Sequence, residues 1–202
     1  AIQFAPLAPL EQEFRTFELS PEWLAPGAAD LSSLVSIMAS RRSCRNYKSR
    51  LVPKDVLDDL IVIGTTAPSG TNCQMWTFHL FPDRTSVLSL GSKVAGFYKR
   101  LNRLAGKSWL RTGLKWVGKP ALSNYYQEYF DQIEAGLSEW ENDQRDRLFH
   151  GAPSLILVGG RSAASCPSED ALLASQNILL AAHAMGLGSC LIGFIVEAIG
   201  HD

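Results

Sequence analysis

The chain has 202 residues, of which 46% are hydrophobic and 19% charged, so it can bury a sizeable core and is not globally disordered. Its 19 basic and 20 acidic residues leave a formal net charge of −1, which argues against a basic nucleic-acid-binding protein and an acidic tail protein. The length suits one domain, with or without an arm, and argues against two full domains.

The sequence lacks the patterns that are typical of membrane, secreted and metal-binding proteins. No apolar run approaches the roughly 18–20 residues of a membrane-spanning helix, and the first ten residues do not resemble a signal peptide. Neither the four cysteines nor the four histidines show metal-ligand spacing, so no metal site is predicted. A chain of this size needs no disulfides, and we expect a cytoplasmic protein without membrane or nucleic-acid partners.

The first 30 residues predict an arm followed by a helix. Residues 1–29 carry four of the ten prolines and are expected to lie on the body or on a partner. Asp30 is expected to cap a first helix. Its apolar face is predicted to consist of Leu31, Leu34, Val35 and Met38.

A helix, a loop and a strand are expected next. The second helix is predicted to open at Pro53 and to end near Thr66. Residues 69–74 form a loop, and the alternating aromatic run over 76–81 predicts a strand.

The C-terminal third predicts two more strands around a long helix. The apolar runs over 154–158 and 189–194 are both typical of buried strands. The helix is expected to begin at a Ser168 cap and to continue to about Met185, with Gly186 as its left-handed end.

The middle segment, 84–147, changes charge abruptly. Residues 84–127 contain nine Lys or Arg and no acid, whereas residues 128–147 contain seven acids and two bases. Three interpretations are open. Opposite charges on two helical stretches face each other or water, a basic surface attracts phosphates of a nucleotide or a partner, or the segment contacts a membrane surface.

Familiar nucleotide and hydrolase motifs are absent. Gly186-x-Gly188 has no glycine at 191 and precedes a predicted strand, so it is not a dinucleotide-binding loop. There is no P-loop and no nucleophile elbow. His183, on an apolar helix, is expected to be a core histidine.

Two polar clusters carry the chemistry that remains. The first cluster consists of Arg41, Arg42, Ser43 and Arg45. This composition is typical of a binding site for a phosphate or another anion. It is equally typical of a basic helix end that faces solvent. If the first helix continues through the cluster, its outer arginines project to one side. The second cluster is typical of a ligand-binding loop or of an ordinary connection; its members are Pro68, Ser69, Gly70, Asn72 and Gln74.

The two clusters in this order resemble the opening of the FMN-dependent nitroreductase family. The pattern R-R-S-x-R-x-Y at 41–47 is followed by V-P, a helix, and A-P-S-G-x-N-x-Q-x-W-x-F at 67–78. The later runs F-H-G-A-P at 149–153 and G-L-G-S-C-L-I-G-F at 186–194 are similar to that family's second half.

The resemblance implies an α+β homodimer in which a mixed sheet is flanked by helices and FMN lies in the dimer interface. Residues 30–202 would form one FMN-binding domain with a helical insertion at about 84–147. The arginine cluster would hold the phosphate, ribityl and pyrimidine end, and the loop cluster would meet the same flavin from the other subunit. The segment beside the flavin ring would be Cys190, Leu191, Ile192 and Gly193.

The implied activity is hydride transfer from NADH or NADPH through FMN to an electron-poor acceptor such as a nitroaromatic or quinone, by ping-pong turnover. No obligatory protein acid or base is implied. The basic stretch over 84–119 favours NADPH slightly. Alternatives are an FMN-dependent dehydrogenase or dehalogenase for one defined substrate, and a flavin-binding protein without turnover.

Two further expectations concern the insertion and the C-terminus. Aromatic residues of the insertion would line the substrate entrance or pack its own helices; the candidates are Trp109, Trp116, Tyr125 and Tyr129. Family members usually continue past position 194 with a tail that adds a basic residue at the phosphate. Residues 200–202 offer no counterpart, so either the chain is shortened or the arginine cluster suffices.

Overall fold

The computed structural model describes residues 12–20 and 22–199. The described residues form eight α-helices, one 3₁₀ turn and two strands. In chain order these are α1 (Leu31–Ser40), α2 (Lys54–Gly64), the 3₁₀ turn (Gly70–Asn72), β1 (Trp76–Phe81), α3 (Arg84–Ala105), α4 (Ser108–Trp116), α5 (Ala121–Glu128), α6 (Phe130–Asn142), β2 (Leu155–Gly160), α7 (Pro167–Ala184) and α8 (Phe194–Ile199).

The chain divides into two compact units. The first takes the described residues up to Cys44, then Arg50–Pro82 and Ser154–Cys190, and thus holds α1, α2, both strands and α7. The second takes Arg45–Ser49, Asp83–Pro153 and the described residues from Leu191 onward, and holds α3 to α6 and α8.

The first unit is built on an antiparallel pair of strands. Trp76 lies opposite Gly160 and Phe81 opposite Leu155, so both predicted strands are confirmed, and β2 extends two residues beyond the predicted end. Helices α2 and α7 pack on this pair through a buried cluster that includes Leu60, Ile178 and Ala182, with Phe78, Ile156 and Val158 packed against it.

A close approach of α2 to its neighbours depends on a glycine. A Cβ at Gly64 would lie 3.0 Å from both Ile178 Cδ1 and Phe78 Cε1. The absence of a side chain lets the last turn of α2 touch α7 and β1, so the apolar faces of these three elements close into one core.

Helix ends follow the predicted capping in part. Asp30 caps α1, because its carboxylate accepts the Ser32 N–H at 3.0 Å and the Ser33 hydroxyl at 2.5 Å. These hydrogen bonds, that of Ser33 above all, lower the pKa of Asp30. Gly186 has φ of +76°, as expected of the left-handed residue beyond α7.

Other helix ends differ from the sequence-based expectation. The predicted Ser168 cap is wrong: α7 begins at Pro167, with Cys166 at the cap position. Proline fits the first helical position because its φ is already helical and its missing N–H has no partner to lose there. Helix α2 begins after Pro53 and ends at Gly64, two residues before the predicted end.

The predicted strand over 189–194 is wrong. Parallel pairing is limited to one bridge between Ser43 and Ser189, and the chain enters α8 at Phe194. Ile195 and Ala198 are buried at a spacing of three, so the end of this apolar run follows a helical period.

The second unit is helical and carries most of the charge contrast. Helix α3 begins with a capping box in which Asp83 and Ser86 bond each other's backbone. Its buried side packs partly on later residues, since a Cβ at Gly91 would lie 3.0 Å from the Trp140 ring. The basic and acidic parts meet in two ion pairs, Lys99–Glu141 and Arg84–Asp146.

The predicted arm over 1–29 falls partly outside the described residues, which omit 1–11 and 21. Its described part is anchored to α2 by Asp59, whose side chain is buried. The carboxylate accepts the N–H of Arg15 at 2.9 Å, and the N–H and hydroxyl of Thr16 at 2.8 and 2.5 Å. Burial by itself raises the pKa of Asp59, but these hydrogen bonds outweigh it and leave the pKa below its ordinary value.

Candidate functional site

The arginine cluster follows the end of α1 in an extended conformation. Arg41 is the C-cap, with φ −59° and ψ 129°, so the helix does not continue to Arg45. The expectation that a continued helix aligns the two arginines is therefore wrong. Arg42 donates from Nη1 to the carbonyls of Ala39 at 2.5 Å and Arg41 at 3.1 Å, which caps the helix.

The first unit brings Ser43 and Cys44 next to Ser189, which is distant in sequence. Ser43 pairs with Ser189 in the parallel bridge, and the Cys44 N–H donates to the Ser189 carbonyl at 2.9 Å. The bridge thus places Ser43 and Cys190, which are far apart in sequence, on adjacent extended segments.

Two buried polar atoms of the first unit have no hydrogen-bond partner among the described residues. They are the Ser189 hydroxyl and the Trp76 Nε1, the former at the bridge and the latter directly after the polar loop. Buried polar atoms are nearly always paired, so each of these marks a position where a polar ligand group would be favourable.

The polar loop after α2 is fastened to the first turn of α7. Asp170 is 3% exposed, and its carboxylate accepts the Gly70 N–H at 2.8 Å and the Cys73 thiol at 3.7 Å. The Thr71 hydroxyl lies 2.8 Å from that of Ser165. Asp170 is not among the site residues predicted from the sequence; the available signal is its place on the α7 face that also carries Ala174, Ile178 and Ala182.

The loop backbone is strained at residues that are not glycine. Thr71, Asn72 and Gln74 have φ of 54°, 54° and 52°. Such left-handed conformations persist where the surroundings fix them, and they concentrate at binding sites. A Cβ at Gly70 would lie 3.2 Å from Cys166 Sγ, so glycine permits the close approach of the loop to the start of α7.

Side chains of the loop also bond one another. The Ser69 hydroxyl accepts the Gln74 N–H at 3.0 Å, and the Asn72 side-chain oxygen accepts from the Gln74 amide at 3.2 Å. The loop therefore presents an arranged set of neutral donors and acceptors, with Asn72 and Gln74 exposed. Pro68 is exposed at its start.

The remaining predicted site residues lie in the second unit. They are exposed or half-buried, and Leu191 is 57% exposed; the residues are Arg45, Leu191, Ile192 and Gly193. His183, expected to be a core histidine, is half-buried and lies with its Nε2 2.8 Å from the Ser40 hydroxyl, so it joins α7 to α1.

The four aromatic candidates of the middle segment separate into two kinds. Trp109 and Trp116 are 70% and 86% exposed. Tyr125 donates its hydroxyl to Asn102 at 2.5 Å. The Tyr129 ring is edge-on to that of Phe194, with centroids 5.9 Å apart. The tyrosines thus pack the unit's own helices, whereas the tryptophans remain free to contact a ligand.

Metal and membrane features are also absent from the described residues. No group of three or more His, Cys, Asp or Glu is placed to hold a metal ion in the described ranges. Within the same ranges, no helix combines the length and apolarity needed to cross a membrane.

Comparison with known sequences gives one family and several relatives. Residues 38–198 match the model of the Nitroreductase family. An iodotyrosine deiodinase from Hydra vulgaris is 33% identical over 97 residues, which cover 47% of this chain and 34% of that protein. A 4-nitrobenzoate reductase from Nocardioides sp. is 26% identical over 172 residues, covering 77% of this chain and 66% of that protein. The chain thus spans about a third of the length of the Hydra vulgaris relative.

Solved structures show the same fold. A nitroreductase from Bacteroides fragilis with bound FMN has a TM-score of 0.55 at 19% identity, covering 83% of this chain and 78% of that one. An FMN-dependent nitroreductase from Mycobacterium smegmatis in complex with NADPH has a TM-score of 0.56 at 18% identity, covering 85% and 81%. These likenesses identify the architecture, which is mostly helical with a small antiparallel sheet.

Proposed function

Because the chain belongs to the nitroreductase family, we propose that it binds FMN and passes hydride from NADH or NADPH to an electron-poor acceptor, such as a nitroaromatic or quinone, by ping-pong turnover. The observation that carries this proposal is the buried, unpartnered Ser189 hydroxyl at the bridge to Ser43. It supports a polar ligand bound beside the arginine cluster.

The residues present fit a phosphate-bearing flavin. Arg41 and Arg45 make no side-chain hydrogen bond that the structure records for the described residues, whereas Arg42 is engaged at the end of α1. Guanidinium groups without a protein partner are suited to a dianion, because each offers two parallel donors and stays charged. In the proposal, Arg41, Arg42, Ser43 and Arg45 hold the phosphate, ribityl and pyrimidine end.

The polar loop is proposed to contact the flavin of the partner subunit, and the segment after Ser189 to lie beside the ring. The fixed backbone of Ser69–Gln74 and its exposed amide groups support contacts to a polar heterocycle. Pro68, Ser69, Gly70, Asn72 and Gln74 form this loop surface. Cys190, Leu191, Ile192 and Gly193 form the ring-side segment.

When bound, FMN supplies the redox chemistry, since its ring system carries hydride between donor and acceptor. The protein's own residues bind it, orient it and adjust its charge. A guanidinium close to the pyrimidine end stabilises negative charge there. No side chain of this chain is required as an acid or base in this proposal.

A homodimer is proposed because two subunits contribute to one flavin site. The apolar face of α1, defined by Leu31, Leu34, Val35 and Met38, supports it: these side chains are 43–68% exposed in the single chain. A contiguous exposed apolar face of this kind is typical of a subunit interface. The proposed occupant of this face is a second copy of the chain.

The experiment is a titration of apo-protein with FMN and with riboflavin, which lacks the phosphate. We expect Arg45→Ala to weaken FMN binding by roughly tenfold to a hundredfold, as expected for one lost charge-assisted contact. Riboflavin should bind the variant and the wild type equally. Arg50→Ala is the matched control, since Arg50 lies nearby in sequence but outside the cluster. If Arg45→Ala weakens the binding of FMN and riboflavin equally, the assignment of Arg45 to the phosphate is wrong.

Activity is tested separately. NADH and NADPH oxidation is followed with a nitroaromatic and with a quinone, using protein whose FMN content has been measured from its absorption. Turnover with either acceptor supports the oxidoreductase; bound FMN without turnover would favour a flavin-binding protein instead.

The second candidate function is reductive dehalogenation of one defined substrate. It is favoured by the 33% identity over 97 residues to the iodotyrosine deiodinase of Hydra vulgaris. The measurement is iodide release from 3-iodotyrosine by the reduced protein. Iodide release with no reduction of nitroaromatics would make this the better assignment.

A further inference from the structure

A cavity of about 690 Å³ lies between α4 and α5, within the second unit. Helix α4 contributes Arg111, Lys115 and Trp116, and α5 contributes Ser123, Tyr126 and Gln127. Arg111 and Lys115 lie four residues apart on one helix, so their side chains project to the same side. Two cations and two aromatic rings therefore face one open space.

The described lining of the cavity carries positive charge and no negative charge. None of the described residues that line it is acidic. The structure records no ion pair of Arg111 or Lys115 with any described residue, whereas Arg84 and Lys99 in the same unit pair with Asp146 and Glu141. Neither cavity cation is ion-paired with a described residue, so their positive charge can attract an anion from solution.

The two aromatic rings of the cavity differ in what covers them: Tyr126 lies under Arg111 and packs against Phe130, whereas Trp116 is open to a flat ligand. The Arg111 guanidinium carbon lies 3.6 Å from the centroid of the Tyr126 ring, and one of its nitrogens donates to the Ala105 carbonyl. These two contacts hold the guanidinium in a fixed orientation. Trp116 is 86% exposed, so one large apolar ring has no protein cover. An uncovered indole beside fixed cations favours an aromatic ligand that carries a negative charge.

We propose that this cavity binds a planar aromatic anion, with the anionic group on Arg111 and Lys115 and the ring against Trp116. Ser123 and Gln127 lie one turn apart on α5 and supply a hydroxyl and an amide for further polar atoms of the ligand. As a statement about substrate choice this rests on the proposed oxidoreductase function. The cavity then favours acidic aromatic acceptors or the phosphate-bearing adenosine end of NADPH.

The first experiment measures binding by calorimetry and by tryptophan fluorescence on protein incubated with excess FMN, whose bound FMN is then measured. The probes are benzoate against benzyl alcohol, and adenosine 2′-phosphate against adenosine. We expect at least one anion to bind about threefold to tenfold more tightly than its neutral partner at low salt, with the difference lost at high salt. The pair that shows the difference identifies the carboxylate or the phosphate source. No difference in either pair would overturn the proposal.

Matched variants locate the binding. We expect Lys115→Met to abolish most of the anion's advantage and Lys119→Met to preserve it, because Lys119 is a nearby exposed cation that does not line the cavity. Trp116→Phe should remove the fluorescence change while calorimetric binding remains. An anion preference that survives Lys115→Met unchanged would place the anion elsewhere and overturn the proposal.

Failure of this inference is distinguishable from failure of the proposed function. FMN content and turnover of a neutral acceptor are measured on the same samples. Normal FMN content and turnover without anion preference overturn the cavity assignment alone. Anion binding that depends on Lys115 in a protein without FMN or turnover supports the cavity and removes the oxidoreductase assignment.

Discussion

The carboxylate of Asp170, in the first turn of α7, accepts the backbone N–H of Gly70 at 2.8 Å. This one contact joins residues 100 positions apart and fixes the polar loop that follows α2. Because Asp170 is buried, its loss would leave the Gly70 N–H without this acceptor. Asp170 is thus a positioning residue for the loop proposed to contact FMN.

Replacing Asp170 is expected to affect stability and FMN affinity together. Asp170→Ala should lower the free energy of unfolding by about 1–3 kcal/mol, the usual cost of an unpaired buried donor. Asp170→Asn should recover part of both losses, because its side-chain oxygen can still accept the Gly70 N–H. Glu169→Gln, an exposed change one residue away, is the control. The measurements are urea unfolding and FMN titration. If Asp170→Ala leaves the FMN affinity unchanged, the loop does not contribute to FMN binding.

The anchor of the N-terminal residues on α2 should depend on pH. The folded pKa of Asp59 is lowered, so its stabilisation is present above the ordinary value of 3.8 and is lost as the pH falls through the folded pKa. Asp59→Asn should lower stability by about 1–3 kcal/mol at pH 7, since its amide faces the donors of Arg15 and Thr16. The difference from wild type should shrink below about pH 3.8.

Two measurements check this anchor. Urea unfolding from pH 7 to pH 3 gives the stability difference, with Asp55→Asn, an exposed change on the same helix, as the control. Limited trypsin digestion should cut after Arg15 faster in Asp59→Asn than in wild type. Equal cleavage rates would show that Asp59 does not hold this segment.

Alkaline pH should weaken the second unit through Tyr98. Its hydroxyl donates to the Phe194 carbonyl at 2.7 Å, and burial, with a smaller contribution from Glu197, raises its pKa from 10.0 to about 12. Folding favours the neutral form of the Tyr98 hydroxyl. Its contribution to stability is therefore complete below about pH 10 and is lost as the pH rises towards 12.

Tyr98→Phe removes that hydrogen bond. We expect a loss of about 0.5–1.5 kcal/mol at pH 8. The difference in the free energy of unfolding between the variant and wild type should narrow between pH 10 and pH 12. It is measured from unfolding curves followed by circular dichroism. Tyr126→Phe is the control, because it changes another tyrosine of the same unit. A gap that stays constant over this range would contradict the assignment to Tyr98.

The exposed face of α1 should control assembly. Leu34→Glu places a charge on the apolar face and is expected to shift the protein towards monomers in sedimentation velocity. Ser36→Glu lies on the opposite side of α1 and should leave the distribution unchanged. A wild-type protein that sediments as a monomer while binding FMN stoichiometrically would contradict the two-subunit site.

The sequence by itself determined the elements whose signals are local. Asp30 precedes an amphipathic helix and caps it, the aromatic run at 76–81 is a strand, and Gly186 ends α7 in the left-handed conformation. Caps, strand alternation and backbone freedom depend on nearest neighbours, so they are readable from short windows. The arrangement of the two polar clusters likewise led to the family whose model matches residues 38–198.

Tertiary structure alone decided which polar groups meet. Asp170 has an ordinary place in a helix's first turn, yet it is buried there and its carboxylate accepts the Gly70 N–H. The apolar run at 189–194 satisfies the pattern of a strand, but a strand needs a neighbour along its length, and Ser43 provides one bridge only. The conformations of the polar loop and of residues 189–194 therefore depend on contacts with residues distant in sequence. Local sequence patterns do not specify those contacts.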